Sequence, residues 1–439
     1  MKEAIKITDK RKYFYMLLMF LWCAYTAPFL KPFDPNYIFS SLLYIIIYFL
    51  YFNKYCIAKS KYALGIVLGV MLLWYIAQCL KSLKITDLDF RLIYSVILCH
   101  ISFYLFKGKE FFFYLEKVLV HLTLISLIVW LLGMFATGPM QSFVHSVSVW
   151  DNGNTTFGNM IFVALGNQWN NGILRNIGFT WEAGRFSSFL VIGLFNNLII
   201  HNFKIKGNRP LFIFLIGLIS TFSTTGFGAA MCVLLLYVYN KSVKYKIFII
   251  IGCVLLFPTL FAFDFIGEKL RSSMNIQQEI NDMEYSFFVN KKSEITPQRF
   301  TGLYLDLQNW LHDFWFGYNL NHNSYAEQVL FRGYSVWLSD GIIQIFSKYG
   351  LFVGLFFYWQ MFKSSIRLSN DFCYRGKFLF ALMFMLLSIS YDFWSSAITL
   401  HYILYDLYVS KDISVSINYD KYQYGYKRKS AFINNNSNL

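Results

Sequence analysis

The chain has 439 residues, 56% hydrophobic and 21% aromatic but only 14% charged, with a mean hydropathy of +0.44. Soluble domains carry about a quarter charged residues, so there is too little polar surface here to coat a globule in water, which excludes a soluble fold. The formal charge of +15 would suggest nucleic acid in a soluble protein. Lys and Arg fall instead in short clusters between apolar runs, where the positive-inside bias puts them, so no nucleic-acid partner is expected.

Residues 1–12 carry Lys2, Lys6, Lys10, Arg11 and Lys12 ahead of an apolar run at 13–30. No small-x-small cleavage site follows it, which predicts a retained first span and a cytoplasmic N-terminus. Further spans are predicted at 37–52, 62–80, 92–106 and 118–135, each close to the roughly twenty residues a bilayer requires. A polar, Gly/Asn-rich stretch at 137–185 is expected on the exterior face, and 186–200 returns inward.

The next apolar run, 211–239, is longer than one span needs and is interrupted by Ser223-Thr224-Thr225-Gly226. Treating it as one helix would put Lys241, Lys244, Lys246, Lys363, Arg367, Arg375 and Lys377 outside, against the positive-inside bias; splitting it puts them all inside. A ninth span at 247–263 leads to a long exterior loop, 264–338, expected to hold short helices. A span at 350–362 goes in, and 378–409 is again long, with Tyr391-Asp392 near its middle as an exterior turn.

The expected architecture is an all-α polytopic membrane protein of about twelve spans, one integral domain over 1–439, with a disordered cytoplasmic tail at 410–439. The seven cysteines lie in or beside apolar runs with no C-x-x-C pair, so neither a disulfide framework nor a cysteine metal site is expected.

Charge crowded at an exterior span boundary is costly and calls for a reason. If 175–186 is helical, a step of about 100° per residue brings Arg175, Glu182 and Arg185 onto one face. By spacing alone, snorkelling to lipid headgroups or mutual pairing explains them equally well.

The run Arg175-x-x-Gly178-x-x-x-Glu182-x-x-x-Phe186 resembles a segment of the bacterial O-antigen polymerase and O-antigen ligase superfamily. Leu218-Ile-Ser-Thr-Phe-Ser223-Thr-Thr-Gly226 resembles the same family's turn between two short spans. In the long loop Arg299-Phe-Thr-Gly-Leu-Tyr, then Phe314-Trp-Phe-Gly317-Tyr-Asn-Leu-Asn-His322-Asn323-Ser324-Tyr325, resembles its Arg…Gly…His-Asn-Ser-Tyr pattern, followed by Gly341 and Tyr349-Gly350-Leu351. The likeness covers roughly residues 175–362. Ala183 stands where the family has proline, Thr224 and Thr225 leave no arginine in the turn, and Trp315-Phe316 replaces a proline.

The resemblance implies transfer of a glycan from undecaprenyl diphosphate to an acceptor sugar at the outer face of a bacterial inner membrane, without a metal or cofactor. Arginine suits that task, because its planar fork gives paired, charge-assisted bonds to phosphate oxygens. Arg175, Arg185 and Arg299 are therefore the candidate diphosphate ligands. His322 is the candidate base for the acceptor hydroxyl. Glu182 either holds an arginine in place or is itself the base. Asn323 and Tyr325 flank the histidine, and Ser223 and Gly226 shape a tight turn.

Asp87-Leu-Asp89 has a metal-binding spacing that also arises by chance, and no metal is expected. Trp310, Trp315 and Tyr318 are either sugar contacts or packing residues. The departures favour a repeat-unit polymerase, working on lipid-linked oligosaccharide with a chain-length regulator as candidate partner. The alternatives are a ligase acting on lipid A core sugar and a transporter of lipid-linked oligosaccharide.

Overall fold

The computed structural model describes residues 9–23, 58–83, 90–106, 108–148, 156–160, 163–170, 172–241, 275–288, 294–295, 297–318, 324–331, 335–336, 338, 341–389, 391–394 and 396–409. The spans expected at 37–52 and 247–263 and the tail at 410–439 lie outside these residues.

The first half contributes α1 (Asp9–Cys23), α2 (Ala58–Ser82), α3 (Phe90–Leu105), α4 (Glu110–Phe135) and α5 (Thr137–Val147). Two small antiparallel hairpins follow, β1 (Thr156–Asn159) with β2 (Ala164–Gly166) and β3 (Trp169–Asn170) with β4 (Ile173–Leu174). The polar stretch expected on the exterior face, 137–185, holds a helix and two hairpins among the described residues. Then come α6 (Ala183–Ile200), α7 (Arg209–Thr221) and α8 (Thr224–Asn240).

The long loop holds α9 (Ile276–Phe288), α10 (Arg299–His312) and a π-turn at Ala326–Leu330, with β5 (Glu294–Ile295) parallel to β6 (Ser335–Val336). The chain closes with α11 (Gln344–Asp371), α12 (Leu379–Ser388), α13 (Ala397–Ile403) and α14 (Tyr405–Tyr408).

Three helices among the described residues are long and apolar enough to cross a membrane, at Tyr62–Ser82, Glu110–Phe135 and Ala183–Ile200. Shorter apolar helices surround them at Leu92–Leu105, Arg209–Thr221, Thr224–Asn240 and Leu379–Ser388. Their outer faces carry exposed Leu72 and Leu73 on α2, Ile128 and Leu132 on α4, and Ile216 and Ile219 on α7. A helix in water turns such residues inward; an outward apolar stripe is the arrangement a lipid surface favours.

α6 is the axis of this bundle, buried along its whole length and packed against α4, α7 and α8. Close approach is possible because α8 offers Gly226 to α6, where an added Cβ would lie 2.5 Å from Ser187 Cβ and Oγ. At its far end, Asn197 donates to Glu116 Oε1 on α4 (2.5 Å), and Asn208 Nδ2 donates to Asn197 Oδ1 (2.7 Å). Asn208 also accepts from Leu211 N and so caps α7, with Pro210 in the first turn.

The run at 211–239 is broken as its length predicted. α7 stops where Phe222 takes a left-handed backbone (φ 47°), and Ser223 restarts the chain by accepting from Gly226 N at 3.3 Å. The run at 378–409 likewise breaks between α12 and α13, around Tyr391. α11 is longer than the span expected at 350–362 and carries a kink at Gly350 (φ 77°, ψ −178°).

That kink has a specific occupant. With the helix opened at Gly350, Leu351 N donates to Phe314 O (3.0 Å) and Tyr318 N donates to Ser347 O (2.9 Å), so loop residues 314–318 are laid into the gap. A Cβ at Gly350 would collide with the Trp315 carbonyl and the Phe316 backbone, and the left-handed φ suits glycine for the same position. α2 clamps the segment from the other side: Trp74 Nε1 donates to Phe316 O (2.9 Å), Gln78 Nε2 donates to Phe316 O and Gly317 O, and Lys81 pairs with Asp313.

Candidate functional site

Residues 175–186 do not form the helix that the one-face reading of Arg175, Glu182 and Arg185 assumed. Arg175 follows β4 in extended chain, Gly178 turns left-handed (φ 61°), and the helix begins only at Ala183, with Glu182 as its N-cap in extended conformation. A side chain at Gly178 would run into the ring of Phe186, so the turn folds tightly over the start of α6. Asn176 Oδ1 accepts from Gly178 N (2.9 Å), and Thr180 Oγ1 donates to Ile177 O and Glu182 O (both 2.8 Å). The three charged residues are gathered by this reversal instead of by helical phase.

The same segment is stitched to the turn between α7 and α8. Arg175 Nε donates to Thr221 O (2.9 Å), Asn176 N donates to Ser220 O (2.9 Å), and Asn176 Nδ2 donates to Ser220 Oγ (3.0 Å). The last turn of α7 has carbonyls that no helical N–H can reach, and Arg175 serves one of them. Ser223 and Gly226 are thus joined to the arginine segment, by capping α8 and by letting it press on Ser187. Their contribution is geometric.

Arg299 arrives from the first residue of α10. Its Nη2 donates to Glu182 Oε1 at 2.9 Å and to the Tyr391 hydroxyl at 3.3 Å, and its guanidinium lies 4.8 Å from the Tyr391 ring centroid. Arg185, 6% exposed, sits 4.3 Å from the Trp181 ring and 5.9 Å from that of Tyr391. Residues far apart in sequence therefore meet around one phenol: Arg185, Arg299 and Glu182, with Arg175 close enough to feel both Glu182 and Tyr391.

Burial dominates the electrostatics. It pulls the Arg175 guanidinium below its ordinary value, with Glu182 and Tyr391 pulling back. For Arg299 burial also works against the charge, but Tyr391 and Glu182 together outweigh it, and the net shift is upward. Burial, and then Glu182, hold the Tyr391 hydroxyl well above the usual tyrosine range, so it stays a neutral phenol, accepting from Arg299 and hydrogen-bonded to Glu182. Among the described residues three guanidiniums thus gather near one carboxylate and one neutral phenol.

Tyr391 is the member that sequence reasoning missed as a site residue, placing it only in a turn. Nothing in its spacing marks it, since tyrosines are abundant in this chain. The local signal is Gly184, where an added Cβ would stand 2.6 Å from the Tyr391 hydroxyl, and Gly341, where one would strike the Tyr391 carbonyl.

His322 and Asn323 lie outside the described residues. Tyr325, next in that motif, stacks on His312 with ring centroids 4.6 Å apart, and Ala326 N donates to Asn309 Oδ1 (2.8 Å). This end of the motif is therefore fastened to the later half of α10, ten residues or roughly 15 Å along the helix from Arg299. Trp310 packs between Phe314 (5.1 Å) and Phe346 (4.9 Å), whereas Trp315 is 55% exposed beside Phe352. Asp87 and Asp89 also lie outside the described residues. Among the described residues no group of His, Cys, Asp and Glu is placed to hold a metal ion.

No family model matches this chain, and neither a curated protein nor a solved structure matches it.

Proposed function

We propose that the protein is a metal-independent glycosyltransferase that uses a polyprenyl-diphosphate-linked donor, acting as a repeat-unit polymerase of a bacterial surface polysaccharide. The observation that carries this reading is the meeting of Arg175, Arg185 and Arg299 around Glu182 and Tyr391. A diphosphate diester is a dianion, and negative charge grows on its leaving oxygen as the glycosyl bond breaks. Fixed guanidiniums stabilise that charge as it grows, without having to reorganise.

In this reading Glu182 and Tyr391 hold Arg299 at the angle its fork requires, and His322 takes the proton of the acceptor hydroxyl. The bond from the anomeric carbon to the phosphate oxygen breaks, the bond to the acceptor oxygen forms, and polyprenyl diphosphate leaves. The acceptor is the sugar of a second lipid-linked unit. About twelve spans, both termini in the cytoplasm and a site on the outer face of the inner membrane complete the proposal. A transporter would set its charges at the bilayer midplane within interrupted helices; these stand at helix ends.

The test is reconstitution of the full chain with a purified lipid-linked repeat unit. A ladder of products that vanishes in Arg299→Ala supports the polymerase. One addition to lipid A core sugar, without a ladder, would assign the ligase instead. Neither product, from protein that is folded and inserted, refutes the reading.

A further inference from the structure

A second feature lies at the opposite end of the bundle from the arginine cluster. α8 begins beside that cluster and runs for 17 residues, about 25 Å at helical rise. Its last residue is tied to the turn before α12: Asn240 Nδ2 donates to Arg375 O (2.9 Å), and Arg375 N donates to Asn240 Oδ1 (2.6 Å). Between the ends of α8 and α11 and the start of α12 opens a groove of about 1010 Å³.

The groove walls are apolar, with Leu235, Val238, Phe378, Leu382 and Met385 among them, while Arg375 and Lys377 line it where the connecting turn passes. Both cations are exposed and make no ion pair among the described residues. Tyr374, 4% exposed, lines the same groove, and its hydroxyl has no hydrogen-bond partner among the described residues.

We infer that this groove is a binding site for one anionic phospholipid, its phosphate held by Arg375 and Lys377 and its acyl chains laid along α8 and α12. Charge decides the occupant. An acyl chain alone needs no cation, a zwitterionic headgroup gains little net attraction from two, and an anionic phosphodiester uses both. Basic pockets between helices at a membrane face hold anionic headgroups in this manner. The inference does not rest on the proposed enzymatic function.

The experiment is native mass spectrometry of the full chain in detergent, titrated with dioleoyl phosphatidylglycerol and, separately, with dioleoyl phosphatidylcholine. The expected result is a retained phosphatidylglycerol adduct whose affinity falls about thirtyfold in Arg375→Gln/Lys377→Gln, the effect of two interfacial basic residues, with phosphatidylcholine adducts unchanged. Leu382→Trp, at a position 47% exposed, fills the groove without altering charge and gives a comparable loss. Lys204→Gln/Lys206→Gln, on the turn after α6, leaves the adduct intact and controls for non-specific charge. Equal phosphatidylglycerol binding by all variants overturns the site. So does a groove that retains no phospholipid.

Discussion

Replacing Gly184 by alanine puts a methyl group 2.6 Å from the Tyr391 hydroxyl but 3.5 Å from the nearest ring carbons, Cε2 and Cζ. Ordinary contact needs roughly 3.4 Å, so the oxygen must retreat by about 0.8 Å, and the ring to which it is rigidly joined tilts with it. Its bond to Arg299 Nη2 is already 3.3 Å long, and the pair loses its alignment. Alanine is favoured over glycine in a helix by about 1 kcal/mol, against about 1–3 kcal/mol for the overpacking, so stability changes by at most about 2 kcal/mol. Displacement of a positioning group by nearly an ångström costs on the order of a hundredfold in rate.

The assay is the product ladder from a lipid-linked repeat unit, beside a thermal melt of the same preparation. Tyr391→Phe alone removes one hydroxyl and should cost roughly 0.5–1.5 kcal/mol, about two- to twelvefold in rate. Because phenylalanine leaves the new methyl nothing to strike, the double variant Gly184→Ala/Tyr391→Phe should be no slower than Tyr391→Phe and faster than Gly184→Ala. Losses that simply multiply, or a fully active Gly184→Ala, would refute the reasoning.

Alanine at Arg175, Arg185 or Arg299 should each lower turnover about 10²–10³-fold, and lysine at Arg299 should recover only part of it, since it cannot reproduce the planar fork; equal activity of lysine and arginine enzymes counts against bidentate phosphate binding. Gly226→Ala should destabilise the α6–α8 contact by about 1–3 kcal/mol, read as a lower melting temperature, with Ser187→Gly in the same chain restoring it. Gly350→Ala should eject residues 314–318 from the gap in α11, seen as new protease sensitivity in that loop at unchanged membrane insertion. His322→Ala should abolish the ladder while leaving the donor's Kd within about threefold, as loss of a base removes a transition-state interaction only.

Much of the framework was legible because it depends on local rules. The break in 211–239 was marked by its excess length and by Ser223, a residue that caps. The convergence of Arg175, Glu182 and Arg185 was also legible, but for the wrong reason: Gly178 was read as one step of a helix, whereas its left-handed φ reverses the chain. A lone glycine in an apolar context permits both.

Tyr391 was not legible, because its role depends on a hydrogen bond to Arg299 across 92 positions, and no sequence period records such a pairing. Trp310 was open to both packing and sugar contact, and its half-buried place between Phe314 and Phe346 arises from α11 starting before Gly350. The kink that joins loop and helix there was visible only as the Tyr349-Gly350-Leu351 of the resemblance, at the start of an expected span.

The complete enclosure of α6 bears on how the chain is assembled. This segment carries Arg185, Asn196 and Asn197 and is buried along its whole length, so of the three helices long and apolar enough to cross a membrane it is the poorest at partitioning into a bilayer alone. The partners that bury its far side, α7 and α8, emerge from the ribosome only afterwards. A nascent chain stalled before Asn240 would then hold its central helix only loosely in the membrane, and biogenesis must keep that helix sheltered until the two that follow it have been made.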